Sequence, residues 1–300
     1  MSAVQLRGER ATAPCRPFAS ADAARPGTAG IVRPLARVEG PRLLRHPAFV
    51  AGALLSVLFS MMMVRDNVGG AYQLLMGAGL LPLAAGTLLA ANLAALRRLR
   101  SNTVELQGAL PARALATTLA HLVSIAWPAL VGVVFVAGAF LLTGAAGGVE
   151  VDDTGRMEIP SGFELAQGPA ASAVCGAAGV ALARAVPHLA ASGLLVVVLL
   201  AGGMMLSSQS RETPLAWFAP VVNTADAPGT DWPCYRPVDT GCEVLGFRTA
   251  SAGWHLVYLS GLTCVLAALA LGRDGDRRLA LRVGAAGLGV VIVAGTLQVP

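Results

Sequence analysis

Histidine and cysteine offer the richest chemistry in this chain, and their spacing withholds most of it. His46, His121, His188 and His255 stand singly, with no HExxH pair and no acids at ligand spacing, so a metal site has no support. Glu150, Asp152, Asp153 and Glu158 do gather, but in a Gly-rich polar stretch that reads as a solvated loop, not a general acid and base. Cys234 and Cys242 have seven residues between them; a disulfide is the first reading and two free thiols the second. Cys15, Cys175 and Cys264 read as unpaired small residues. All 22 residues in the Lys plus Arg count are Arg. A phosphate-gripping P-loop, a Schiff-base enzyme and a Ser-Lys enzyme each need a lysine, so none can be built here. GxSxG and the kinase DFG and HRD patterns are also missing, so no enzyme and no cofactor is expected.

The elements that must position any site are apolar. Hydrophobic residues make up 55% of the 300 positions and charged residues 13%, far below the roughly 25% usual for soluble domains. Seven runs are candidates to cross a bilayer as helices: about 48–64, 71–96, 115–142, 169–186, 188–206, 254–272 and 279–297. The fourth is the weakest, mostly Ala, Gly and Val, and suits close packing more than lipid exposure. Pro82 and Pro128 are candidate kinks in the second and third, and Gly86 to Ala90 and Ala173 to Ala177 permit close helix contact. His121 lies inside the third, where an ionisable group is a candidate for function or for a structural hydrogen bond.

The expected fold is therefore an all-α polytopic membrane protein of about seven transmembrane helices. With the N-terminus inside, every arginine but Arg65, Arg156, Arg211, Arg236 and Arg248 falls on the cytoplasmic side, and the C-terminus lies outside. Such arginines mark topology and membrane lipid, and without a dense patch interleaved with aromatics they do not suggest nucleic acid. Residues 1–35, rich in Ala, Pro, Arg and Gly, read as a disordered cytoplasmic tail. Residues 36–47 read either as a short basic helix lying on an anionic inner leaflet or as a flanking charge cluster. Two long outer loops are expected at 143–168 and 207–253. The second carries PLAWFAPVV, 214–222, too short to span and suited to an interfacial or re-entrant piece. Trp217, Trp232, Tyr235, Trp254 and Tyr258 would suit a headgroup belt.

The polar island at 97–114, RRLRSNTVELQGALPARA, is the expected cytoplasmic elbow between the second and third runs. Taken with RLLRHPAF at 42–49 and the long loop 207–253, the stretch RSNTVELQGALPARALATTLAH at 100–121 resembles the permease subunit of type-2 export-class ABC transporters. The resemblance covers about 36–272 and implies a connecting helix at 36–47 and a six-helix core at 48–272, to which 273–300 would add a cytoplasmic turn and one extra helix. It implies docking on a separate P-loop ATPase subunit through Glu105, Leu106, Leu110 and Pro111, with Arg98, Arg100 and Arg113 as their electrostatic surround. It also implies a dimer with a second permease copy or a paralogue, in the plasma membrane. The expected function is the membrane-spanning subunit of an ATP-driven exporter. A membrane-embedded sensor or assembly protein without transport is the alternative, and an integral-membrane enzyme the weakest third. The transported substrate is not legible in the sequence, because no charged residue sits deep in a run.

Overall fold

A computed structural model describes residues 28–66, 74–75, 77–100, 114–145, 149–150, 157–158, 160–208, 218–220, 224–225, 236–238, 241–243, 248–249, 251–274 and 276–298. The architecture is helical: α1 Thr28–Leu44, α2 Pro47–Asp66, α3 Leu81–Arg100, α4 Ala114–Ser124, α5 Ala126–Ala145, α6 Gly162–Ala185, α7 Leu189–Ser208, α8 Ala252–Arg273 and α9 Arg277–Leu297. Among the described residues, strands are limited to two- and three-residue ladders, such as Val149–Glu150 against Met157–Glu158.

Among the described residues, four helical stretches are long and apolar enough to cross a bilayer: Ala114–Leu142, Gly162–Ala185, Ala252–Arg273 and Arg277–Leu297. A fifth is reached if α1 and α2, bent by 54° at their junction, count as one span. Shorter apolar helices occur at Leu81–Arg97 and Ala190–Gly202. The chain is a membrane protein on this ground.

The middle of the bundle is a triad of parallel helices. Along α3 and α6 the contacts climb together: Leu80 meets Gly168, Thr87 meets Gly176, and Asn92 donates its Nδ2–H to the Gly179 carbonyl at 3.1 Å. Helices α6 and α8 rise the same way, from Phe163 beside Gly253 to Arg184 beside Asp274. The other pairs are antiparallel. Ser56 Oγ on α2 accepts from the Leu83 amide of α3 at 2.9 Å, and Gly52 and Gly86 touch backbone to backbone. Helix α9 folds back on α8, with Gly287 against Gly261 and Gln298 beside His255.

Helix α6 occupies the centre. Its most apolar window is 67% buried, against 22% for Ala114–Leu142 and for Arg277–Leu297. It starts at Gly162, seven residues before the expected run, because Ser161 and Glu164 form a capping box: Glu164 Oε2 accepts from the Ser161 amide at 2.6 Å, and Ser161 Oγ accepts from the Glu164 amide. Glu164, which falls within the expected outer loop 143–168, is buried.

Both proline expectations shift. Pro82 stands in the first turn of α3, where its missing N–H costs nothing, so it starts the helix instead of kinking it. Ahead of it, Gly77 takes a positive φ of 112° and leads through a 3₁₀ turn, so this helix begins at Leu81 and not near 71. Pro128 lies three residues beyond a true break, at Ile125, between α4 and α5. Without its N–H, the Ser124 carbonyl has no helical donor, and Ser124 Oγ turns back to donate to the His121 carbonyl at 2.7 Å.

Candidate functional site

The best-furnished polar region lies where α1 meets the ends of α3, α4 and α6. Helix α1 begins at Thr28 and carries Pro34 and Pro41 inside it. Ala36, Gly40 and Leu43, spaced four and three apart, are buried on one face. Gly40 lies flat on the Trp127 indole, leaving no room for a Cβ. Arg33, Arg37, Val38, Arg42 and Arg45 face outward. The apolar stripe is thus spent on protein contacts with α4 and α5, which differs from a helix that inserts an apolar face into lipid.

Glu39 is the hinge of the local electrostatics. Its Oε1 accepts from Arg42 Nη1 at 2.9 Å, and its Oε2 pairs with Arg97 Nη1 at 3.5 Å. Arg97 is the last described side chain before the polar island, and α4, which follows the island, packs along α1. One helix therefore holds both rims of the elbow. Beneath Glu39 runs a narrow crevice of about 200 Å³, counting its open mouth, lined by Leu43, Ala91, Ala94, His121, Ser124 and Val180.

His46 closes the corner between α1 and α2. Its Nδ1 accepts from the Ala48 amide at 3.2 Å, capping the first turn of α2. Partial burial, and then the nearby Arg97 guanidinium, hold its pKa below the usual 6.5. At the same end of the bundle, Arg184 Nε and Asp274 Oδ2 pair at 3.8 Å, largely buried, and neither of those atoms, nor Arg184 Nη2, has a hydrogen-bond partner.

The other histidines have structural tasks. His188 Nδ1 accepts from the Ala190 amide at 3.2 Å and so caps α7. His255 is buried: its Nδ1 meets Gln298 Oε1 at 2.9 Å, and its ring stacks near Tyr258. Tyr258 is buried too, outside any headgroup belt, because its hydroxyl donates to the Phe218 carbonyl at 2.7 Å. The Phe218 ring in turn rests on Gly295 of α9, so the PLAWFAPVV stretch is anchored on α8 and α9 at residue 218. Trp254 remains half-exposed at the start of α8.

Of the sequence candidates, Glu105, Leu106, Leu110, Pro111 and Arg113 lie outside the described residues, as does Cys234. Arg98 and Arg100 end α3, and Cys242 stands in the Gly241–Glu243 strand opposite Pro237, but their side chains are outside the description. Glu39, the residue that ties α1 to the elbow, was missed by the sequence reading. The signal was available: Glu39 and Arg42 stand one turn apart, and Glu39 is the one acid in an otherwise basic helix. Neither a known protein family, nor a curated protein, nor a solved structure matches the chain.

Proposed function

We propose that the chain is the membrane-spanning subunit of an ATP-driven exporter, working as a dimer in the plasma membrane and drawing energy from a separate P-loop ATPase subunit. The observation that carries this reading is the double grip of α1 on the elbow: the Glu39–Arg97 pair at one rim and the packing of α1 along α4 at the other. A push on residues 101–113 would reach α1, α3 and α4 together. The interruption at Ile125 then lets α4 tilt relative to α5, which packs on α6 as well as on α1. By resemblance, Glu105, Leu106, Leu110 and Pro111 make the docking contact, with Arg98, Arg100 and Arg113 around them.

The proposal includes seven crossings, with α1 cytoplasmic and the C-terminus on the far side. Parallel neighbours α3, α6 and α8 support it, since each return between them needs a helix running the other way. The stretch α4–α5 supplies one return and α7 the other. Two measurements test the reading. Glu105→Ala with Leu106→Ala should abolish co-purification of the P-loop subunit encoded beside this chain, and unchanged capture overturns the docking role. Single cysteines at Arg37 and Leu297, both exposed, should react with a membrane-impermeant thiol reagent from opposite sides; labelling from one side rejects seven crossings.

A further inference from the structure

Exposed arginines gather on one end of the bundle, among them Arg33 and Arg37 on α1, Arg45 just past its end, and Arg277, Arg278 and Arg282 on α9. The two groups belong to the same end, because Glu39 pairs with Arg97 at the end of α3, Ala95 and Leu96 cluster with Ala183 of α6, and Arg184 pairs with Asp274. Each group adjoins a bare apolar surface. Beyond Arg45, the exposed side of α2 begins with Val50, Leu54 and Leu55; beside Arg282 stand Leu281 and Leu288. A charge band bordering an apolar belt on a membrane protein lies at headgroup depth.

We infer that this end of the bundle is a contact surface for anionic phospholipid, with the six arginines holding phosphate headgroups. Charge complementarity selects the occupant: the band is positive, and the only acid on α1, Glu39, is already engaged by Arg42 and Arg97. The mode of contact follows from burial. Because Ala36, Gly40 and Leu43 are covered by protein, α1 cannot bury an apolar face in the acyl layer, and its hold on lipid is purely ionic. The contact is therefore steeply salt-dependent and indifferent to acyl-chain length. It presses α1 onto the bundle from outside while Trp127 seats it from inside.

The test uses the full chain without any ATPase subunit, so it stands or falls apart from the exporter reading. Purified protein is reconstituted in phosphatidylcholine vesicles, and the association of spin-labelled phosphatidylglycerol and phosphatidylcholine with its boundary is compared. Wild type should prefer phosphatidylglycerol several-fold at low ionic strength and lose the preference at high ionic strength. The variant Arg33→Gln, Arg37→Gln, Arg45→Gln should lose most of it, while its thermal midpoint in neutral detergent stays at the wild-type value. Equal association of both lipids with wild type overturns the inference, and an equal loss in an Arg156→Gln, Arg211→Gln control does so too. So does a preference that survives high salt, which would mean apolar insertion. A band that ignores lipid but captures an acidic soluble protein overturns it in favour of a protein partner.

Discussion

The triad α3–α6–α8 and the corner formed by α1, α4 and the elbow are neighbours, yet they are held by different forces. In the triad, helices approach until backbones touch. Between α3 and α6, Gly179 lies against the Leu88 carbonyl and the Asn92 amide, and a polar tie, Asn92 to the Gly179 carbonyl, runs through the same spot. Close approach multiplies dispersion contacts, which is what associates helices where no water is present to drive them together. In the corner the ties are ion pairs and a cap, around a narrow crevice. Such ties are weak, screened and reversible. The triad is thus a frame, and the corner is the part that can move at small cost.

The contrast breaks first at Gly179. A valine there must displace backbone, not the end of a side chain, so Gly179→Val should destabilise the fold by about 3 kcal/mol, the upper range for overpacking. Thermal unfolding in detergent, followed by size-exclusion behaviour, would show it. A variant as stable as wild type would mean that the helices are less tightly apposed than the frame argument requires.

Gly40 is the matching position in the corner, and its neighbour is a side chain. Gly40→Val should lift α1 off Trp127 and expose the α1–α2 junction to limited proteolysis, with a smaller loss of global stability than Gly179→Val. Adding Trp127→Ala should make room and restore protection, giving a coupling of about 1–2 kcal/mol in the double-mutant cycle. Without rescue, α1 would not be seated by that ring.

How much of this was legible in the sequence depends on which property decided each element. Each expected apolar run overlaps a helix, because length and lack of charge are local properties, but the second starts late at Leu81 and the third is interrupted at Ile125. The ranking failed for the fourth run. Hydropathy scores lipid exposure, and α6 is poor in large apolar residues because protein surrounds it. Its start was written in the Ser161 and Glu164 spacing but was masked by the acids before it. The N-terminal extent of α1 was hidden by Pro34 and Pro41, usually breakers and here inside the helix. Glu39 escaped because its second partner, Arg97, is far along the chain, and pattern reading sees only near neighbours. For the elbow itself, residues 101–113, the sequence remains the source of the proposal.

The smallest expected effect sharpens the comparison from the corner side. His46 caps α2 only while its Nδ1 is unprotonated, and burial together with Arg97 disfavours the imidazolium in the folded protein. A histidine whose folded pKa lies below its unfolded value of about 6.5 contributes its full stability above that pH. The contribution is lost as pH falls from 6.5 through the lowered folded pKa, because the unfolded chain takes up the proton more readily. Acidification should therefore loosen the α1–α2 junction before it touches the Gly-mediated contacts between α3 and α6. His46→Asn keeps a side-chain acceptor for the Ala48 amide and removes the titration. Amide hydrogen exchange at residues 44–50, measured across this range, should accelerate on acidification in wild type and stay level in the variant. Equal acceleration in both would leave His46 as a cap alone, with no part in the acid sensitivity.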